Sequence, residues 1–333
     1  MSPREEREQA ELLLVGPYGI RAADSLGRLI PEDPCLIRTC FQRDVDRITH
    51  CKSFRRLKHK TQVFLQPEGD HYRTRLTHTL EVSRLARTVA RALNLNEDLT
   101  EAIALGHDLG HTPFGHAGER ALNRIYPEGF RHYEQSLRVV DLLERDGRGL
   151  NLCYETRMGI LNHTHGSPDD TREATAVRLC DRIAYINHDL DDAIRAGLLT
   201  DDEVPDRIRL GCGTRNSTRI DSFISDLIFS STKGQLRMSA KMQELFDYFH
   251  GFMYSEIYVN PVAKGEESKV DGILSALYDY YTGHPEELPE DFGTVLDQEG
   301  RERAACDYIS GMTDGYAMEK YGEKFIPFAW TVK

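Results

Sequence analysis

The sequence predicts a mainly α-helical protein, and two observations favour this fold class. Apolar residues recur every three or four positions, as in Val82, Leu85, Val89 and Leu93, which is the period of an amphipathic helix. The composition, with 40% hydrophobic and 29% charged residues, is typical of a globular chain with a sizeable core. We find no internal repeat, low-complexity tract or long linker. One mainly-α globular unit is therefore the expected architecture.

Residues 1–40 are expected to be an N-terminal arm with little helix after its first turns, because a short apolar run is followed there by glycine and proline. A helical core is expected over 41–196, and a helical extension packed on the core over 197–333. Residues 201–217 read as a polar loop. Besides the segment around Leu85, the expected helices lie near Leu99–Leu109, Gly118–Ile125, Glu134–Glu144, Tyr154–Asn162, Glu173–Ala196, Ile220–Ser230, Ala240–Tyr258, Ser268–Tyr281 and Glu299–Tyr321.

Charge and cysteine content restrict the class of protein. The net charge of −12 argues against a nucleic-acid coat or a binder of anionic membranes, because both need broad positive potential. The N-terminus is charged, and no run of about 18 apolar residues occurs, so no membrane segment is expected. The 7 cysteines are odd in number and form no CxxC pair. They indicate reduced thiols and a cytoplasmic protein.

The adjacent pair His107-Asp108 is the most informative feature of the chain. A neutral imidazole and a carboxylate offer one nitrogen and one oxygen ligand to the same divalent ion. His78 upstream and Asp181 downstream, both on helical patterns, are candidates to close the site. Two histidines and two aspartates suit Mg, Mn, Fe, Ni or Zn and leave positions for water and a phosphate oxygen. The set indicates a metal-dependent hydrolase.

Side chains near this pair extend the candidate site. Pro113 is expected to end the helix that carries His107, so the chain turns there before the next helix. His116 and Glu119 are three residues apart, and on a helix the carboxylate would fix the tautomer of the imidazole and raise its pKa. Arg75 would share a helix face with the candidate ligand three residues later and clamp a phosphate oxygen.

Two sequence motifs resemble those of a known family. They are RTRLTHTLEV, around His78, and GHDLGHTPFGH, which begins at Gly106. They resemble the HD-domain phosphohydrolase superfamily, and within it the dGTP triphosphohydrolase branch. The similarity extends from about Phe41 to Asp192 and returns at Ala305–Asp314. It implies a divalent metal held by His78, His107, Asp108 and Asp181.

The same resemblance implies roles for further residues. The implied catalytic residues are His111, His116 and Glu119. The implied substrate contacts are Arg75, Tyr185, Asp189, His132, Lys60, Gln62 and Arg56. Tyr133 departs from the small polar residue of many relatives, which puts the base or phosphate contacts there in doubt. Loop solvation or core packing explains four further candidates at least as well: His163, His165, Tyr254 and Tyr258.

The resemblance implies hydrolysis of a dNTP, dGTP or another, to a deoxynucleoside and triphosphate. Two alternatives stay open: an HD hydrolase of another nucleotide, such as a monophosphate or guanosine tetraphosphate, and a nucleotide sensor with a vestigial site. Family members commonly form homo-oligomers, hexamers or tetramers, and some bind a regulatory nucleotide. The base, the metal and the oligomeric state are not fixed by the sequence.

Overall fold

The computed structural model describes residues 1–62, 73–232, 234–260, 265 and 267–327, and within these ranges it confirms a mainly α-helical fold. The described residues form no β-sheet, only isolated bridges such as Arg28 with Cys153. None of their helices is long and apolar enough to cross a membrane. The helices are α1 (Pro3–Leu14), α2 (Cys40–Thr49), α3 (Lys52–Arg56), α4 (Arg75–Ala92), α5 (Glu97–Gly106), α6 (Gly115–Ile125), α7 (His132–Arg138), α8 (Glu144–Gly147), α9 (Tyr154–Asn162), α10 (Arg172–Arg195), α11 (Asp206–Cys212), α12 (Asn216–Ser230), α13 (Ala240–Met253), α14 (Glu267–Gly283), α15 (Gly293–Glu299), α16 (Arg301–Ser310) and α17 (Asp314–Phe325).

Helix α10 is the centre of the main core, and α4, α5, α12 and α13 pack against it. Its 24 residues begin after Thr171, whose hydroxyl accepts a hydrogen bond from the third amide of the helix. Val177, Ile183 and Leu190 of α10 are buried together with Val82 of α4. Burial of such side chains stabilises the fold by about 1.5–3 kcal/mol each. The polar side chains of α10 are thereby held at fixed positions.

A second apolar cluster joins the C-terminal helices to the middle of the chain. Leu122 of α6 packs with Leu274 of α14 and with Ile309 and Ala317 of α16 and α17. The expected helix Glu299–Tyr321 is wrong as a single element. The chain leaves the helix at Gly311, and the hydroxyl of Thr313 caps a new one, because it accepts a hydrogen bond from an amide of the first turn of α17.

The expected polar loop at 201–217 is also wrong, since it contains a short 3₁₀ turn and helix α11. Ile208 and Cys212, four residues apart, are buried on one face of α11 among charged neighbours. Two apolar residues among charged ones are too few to show the three- to four-residue spacing by which a helix is recognised in a sequence. The other expected helices are confirmed to within a few residues at their ends, except that the segments near 134–144 and 240–258 finish in π-turns.

A tight turn joins α5 to α6 and contains His107 and Asp108. Gly110 lies so close to α7 that an added Cβ would stand 2.1 Å from the backbone nitrogen of Ser136. Phe114 takes a left-handed conformation, with φ of 62°, immediately before α6. The expectation that Pro113 ends the helix carrying His107 is wrong, because α5 already ends at Gly106 and His107 lies in the turn. Helix α6 starts at Gly115, early enough to carry both His116 and Glu119.

Candidate metal centre and surrounding cleft

Four side chains, from α4, α10 and the turn after α5, converge at the buried end of this turn. His78 lies in the first turn of α4, His107 and Asp108 follow α5, and Asp181 lies in the middle of α10. His78 Nε2 is 3.0 Å from Asp181 Oδ1, and His107 Nε2 is 3.5 Å from Asp108 Oδ2 and 3.8 Å from Asp181 Oδ1. The structure thus brings together all four residues that the sequence marks as candidate ligands.

The nitrogen atoms of this group are arranged as a metal site requires. His107 Nδ1 donates a hydrogen bond to the carbonyl oxygen of Ala104 at 2.7 Å, which leaves the lone pair on Nε2. That Nε2 is buried and has no hydrogen-bond partner. An unsatisfied buried nitrogen costs about 1–3 kcal/mol, unless a cation takes its lone pair. Ligand atoms of His78, His107 and Asp108 lie within 4.8 Å of one another, so the residues fit a divalent ion.

Charge at the centre favours ionised carboxylates. Burial alone would raise the pKa of Asp181, but the hydrogen bond from His78 and the adjacent imidazole of His107 lower it to about 2. Burial is likewise overcome at Asp108, where His107 and Arg75 hold the pKa well below the usual range of an aspartate. Both carboxylates are therefore available as anionic ligands.

Arg75 forms an ion pair with Asp108, one of the candidate metal ligands. The arginine is 1% exposed, and its Nη1 donates to Asp108 Oδ2 at 2.6 Å. Its Nη2 donates to the backbone oxygen of Gln62 at 3.2 Å, whereas Nε is buried without a partner. The guanidinium therefore orients Asp108 and keeps one unsatisfied N–H donor in the site.

A group of histidines extends from the centre along the α5–α6 turn. The rings of His111 and His132 stack with centroids 4.7 Å apart, and His116 meets His111 edge-on at 5.3 Å. Burial and the charge of Arg75 lower the pKa of His111 far below its usual value. His116 is exposed at the rim of the group, and its pKa is also lowered, by partial desolvation in the cleft and by the charge of Arg75. Both rings are therefore neutral at neutral pH in the free protein.

The partner of Glu119 differs from the expected one. Its carboxylate accepts hydrogen bonds from His132, at 2.9 Å from both the backbone nitrogen and Nδ1, and makes none to His116. The expectation that Glu119 aligns His116 by a hydrogen bond is therefore wrong for this structure. The physical reason is that α7 begins at His132 and directs both its first amide and its ring at α6.

His163 belongs to this group although the sequence favours loop solvation equally. It is 3% exposed, and its Nε2 is 3.2 Å from Nε2 of His132. Its Nδ1 donates to the oxygen of Ile160 at 2.7 Å, so Nε2 is the acceptor. Both ring nitrogens of His132 thus face acceptors, and although burial opposes it, Glu119 raises the pKa of the ring, which favours the imidazolium form. His165 lies further out, against Tyr133, with ring centroids 5.2 Å apart.

A tyrosine pair and an aspartate form the other wall of the cleft. Tyr185 stacks on Tyr258 with ring centroids 5.5 Å apart, and Tyr185 also meets His116 edge-on at 6.2 Å. The hydroxyl of Tyr258 donates to Asp189 Oδ2 at 2.7 Å. Burial raises the pKa of Asp189 to about 8. Tyr258 thus contacts two expected substrate residues, whereas Tyr254 is 58% exposed.

Arg56, Lys60 and Gln62, which the resemblance implies as substrate contacts, do not all face the cleft. Lys60 is buried, and its ammonium donates to the carbonyl oxygens of His111 and Ser310, the latter at 2.8 Å. It ties the turn to α16, so a role in binding polyphosphate is not retained. Gln62 is 5% exposed with an unpartnered Oε1 near Arg75. Arg56 lines a separate cavity with Tyr308 and takes no part in the histidine group.

His188 is a further residue that the sequence did not mark. It is 2% exposed and meets the ring of His78 edge-on at 5.8 Å. Glu81 lies 3.3 Å from its Nδ1, and Arg73 pairs with the same carboxylate at 3.1 Å. The position of His188 seven residues after Asp181 on α10, and thus on the same side of the helix, was the available signal.

Comparison with known proteins agrees with this geometry. The family model described as HD domain matches residues 75–186, and the phosphohydrolase-associated domain matches 236–323. A deoxyguanosinetriphosphate triphosphohydrolase-like protein of Caldanaerobacter subterraneus subsp. tengcongensis is 51% identical over 99% of this chain and 98% of that protein. Proteins of the same name from Desulfatibacillum aliphaticivorans and Clostridium perfringens strain 13 are 48% and 44% identical, each over 98% of this chain and 99% and 98% of their own length.

The helical fold and the His–Asp centre define a metal-dependent phosphohydrolase of the HD-domain class. Within that class, the chain belongs to the family of deoxyguanosinetriphosphate triphosphohydrolase-like proteins.

Proposed function

We propose that the protein hydrolyses deoxynucleoside triphosphates to a deoxynucleoside and triphosphate, by cleavage between the α-phosphorus and the 5′-oxygen. One observation carries this proposal. Helix α10 bears Asp181, Tyr185 and Asp189 at four-residue intervals, so successive side chains lie about 6 Å apart on one face. A sugar against the tyrosine would therefore place its 5′-phosphate beside the metal ligands.

The metal would be held by His78, His107, Asp108 and Asp181, and Mg, Mn, Fe, Ni and Zn all suit such a set. When bound, a divalent ion supplies Lewis acidity toward a phosphate oxygen and lowers the pKa of a water molecule. The protein's own part is to hold both carboxylates ionised and the His107 lone pair aimed into the site.

Two cationic side chains are proposed to bind the phosphates. His132 lies among the histidines of the cleft, and its positive form is favoured by the ion pair with Glu119. Arg75 has a buried Nε without a hydrogen-bond partner. Charge-assisted hydrogen bonds of this kind contribute about 1.5–3 kcal/mol each. Gln62 lies next to Arg75 and is the one of Arg56, Lys60 and Gln62 that remains a proposed contact.

His116 is proposed to protonate the departing 5′-oxygen. Its ring lies between Tyr185, where we place the sugar, and His111. It is neutral in the free protein, but the negative charge of a bound triphosphate raises the pKa of a nearby imidazole. The proton would then be available only in the complex. His111, buried and neutral, would position His116 and the stacked ring of His132.

Selection of a deoxyribose is proposed to depend on Tyr185, Tyr258 and Asp189. Asp189 would accept a hydrogen bond from the 3′-hydroxyl, and the tyrosine ring would leave no room for a 2′-hydroxyl. The raised pKa of Asp189 and its contact with Tyr258 show a tightly enclosed carboxyl, which supports a role in recognition.

The experiment that tests this function is an activity matrix of divalent metals against the four dNTPs, with chromatographic separation of nucleoside and triphosphate. Turnover of at least one dNTP to these two products supports the proposal. Release of orthophosphate or pyrophosphate indicates an HD hydrolase of another phosphate ester. Metal binding without turnover of any dNTP indicates a sensor with a vestigial site.

A homo-oligomeric state is part of the same proposal. The N-terminal arm exposes several large apolar side chains, among them Leu13 at 91%, Leu26 at 76% and Leu36 at 73%. Exposed apolar surface of this kind marks protein interfaces. The cytoplasmic location and the division at residues 40 and 196 stay predictions.

A further inference from the structure

A cavity of about 400 Å³ lies between α10, α11 and α12, and none of the residues around it belongs to the cleft described above. It is rich in charged and amide side chains. Six of the residues that line it are Asp191, Arg209, Thr214, Arg215, Asn216 and Arg219.

Arg219 is the unusual member of this cavity, because it is 3% exposed yet has no carboxylate partner. Its Nε donates to Asn187 Oδ1 at 3.1 Å, and its Nη1 donates to the backbone oxygen of Thr214 at 2.9 Å. In the described part of the chain, no acceptor meets Nη2 and no ion pair involves Arg219. A buried cation without a counter-ion is costly, so a negative ligand at this position would be stabilising.

The other charges at the cavity leave an excess of positive charge. Arg215 is exposed and forms no ion pair within the described residues. Arg209 is neutralised by Asp206 at 2.5 Å. Asp191 is engaged by Arg73 at 3.1 Å, and Asp201 is the remaining acid that faces the cavity. Two arginines without an ion pair, Arg215 and Arg219, thus face one remaining carboxylate, Asp201.

The start of helix α12 adds to this positive potential. The helix is 15 residues long and begins at Asn216, beside both Arg215 and Arg219. The first amides of a helix of this length point out of its end and attract anions. The partial positive charge at the start of α12 and the guanidinium groups of Arg215 and Arg219, which form no ion pair within the described residues, therefore all contribute positive potential to the cavity.

We propose that this cavity binds a phosphate-group anion through Arg219 and Arg215. A tetrahedral phosphate accepts paired hydrogen bonds from a guanidinium and fits the end of α12. Asn187, which receives the Arg219 hydrogen bond, lies on α10 between Tyr185 and Asp189. An anion in the cavity is thus linked through one side chain to the helix that carries the proposed sugar contacts.

The test is calorimetric titration of the full chain with inorganic tripolyphosphate in the presence of EDTA. Loss of one charge-assisted contact weakens binding about tenfold, so Arg215→Ala and Arg219→Lys are each expected to bind about tenfold more weakly than the wild type. Arg237→Ala removes an exposed arginine outside the cavity and is expected to bind normally. Because Arg215 is exposed, its variant remains informative even if Arg219→Lys does not fold.

Arg75→Met separates this cavity from the proposed active site. We expect Arg75→Met to keep the tripolyphosphate binding that Arg215→Ala weakens. It is overturned if Arg75→Met abolishes binding while Arg215→Ala retains it, or if the wild type binds no tripolyphosphate. A parallel titration with dGTP identifies the source of the phosphate: tighter binding than tripolyphosphate indicates a nucleotide, and equal or weaker binding indicates a free polyphosphate.

Discussion

Glu119 accepts a hydrogen bond from Nδ1 of His132 at 2.9 Å. Although burial opposes it, this bond lowers the pKa of Glu119 to about 2, and the carboxylate in turn raises the pKa of His132. The pair places a positive imidazolium next to a proposed triphosphate site. The effect of Glu119 on the reaction is therefore expected to pass through His132, and His116 is expected to act separately.

Glu119→Gln should move the pH dependence of substrate binding. Because Glu119 raises the pKa of His132, removal of its charge lowers that pKa, and the imidazolium is lost at a lower pH. We expect the KM for dGTP to begin rising at a lower pH than in the wild type, measured from about pH 5 to about pH 9. An unchanged KM profile would contradict the proposed role of the pair.

His116→Ala should abolish turnover and leave metal binding intact. Loss of a general acid costs about a hundred- to ten-thousand-fold in kcat. Metal content by mass spectrometry should match that of the wild type, since His116 lies outside the four-residue centre. His250→Ala, an exposed histidine on α13, serves as the control. Full activity of His116→Ala would move the acid role to another group.

Tyr258→Phe should weaken the preference for a deoxyribose. The substitution removes the hydroxyl that donates to Asp189 at 2.7 Å and keeps the ring that stacks on Tyr185. One lost hydrogen bond to this largely protonated carboxyl corresponds to roughly a fivefold fall in the ratio of kcat/KM for dGTP over GTP. Tyr254→Phe, at an exposed neighbouring position, should leave the ratio unchanged. Equal ratios in both variants would argue against sugar recognition by this wall.

Glu173 should make the fold less stable as pH rises. Its Oε1 accepts hydrogen bonds from the amides of Ile20 and Asn96, both at 2.9 Å, and burial raises its pKa to about 7. Since the carboxyl ionises near 4.5 when unfolded, the folded state holds the proton more tightly. The free energy of unfolding is expected to fall by roughly 3 kcal/mol as pH rises from below the unfolded-state pKa to about 7. Above the folded-state pKa it is expected to stay level.

Glu173→Gln provides the comparison, because the amide keeps an acceptor oxygen and cannot ionise. Urea unfolding at acid and neutral pH should give the variant a smaller loss of unfolding free energy than the wild type. The same loss in both proteins would show that Glu173 ionises normally in the fold.

The sequence predicted two kinds of feature: apolar residues that repeat with the period of a helix, and functional residues that lie close together in one motif. The periodic apolar positions located α4 and α10, and the spacing of His78, His107 and Asp181 identified a centre built from several helices. The partner of Glu119 was not predictable, because it depends on how α7 packs against α6 across the intervening turn.

The remaining differences have the same origin in tertiary packing. Lys60 was expected to contact the substrate, but the C-terminal helix α16 supplies a carbonyl oxygen that accepts a hydrogen bond from its ammonium. His163 and Tyr258 looked like solvent or core residues, since nothing in their local sequence shows that α9 and the π-turn after α13 face the cleft.

The central claim is that water attacks the α-phosphorus of a dNTP and releases intact triphosphate. The most direct test is turnover of dGTP by the metal-loaded wild type in isotopically labelled water, with mass analysis of both products. We predict deoxyguanosine without label and triphosphate that carries one labelled oxygen. Label in the deoxyguanosine, or release of pyrophosphate or orthophosphate in place of triphosphate, would contradict the account.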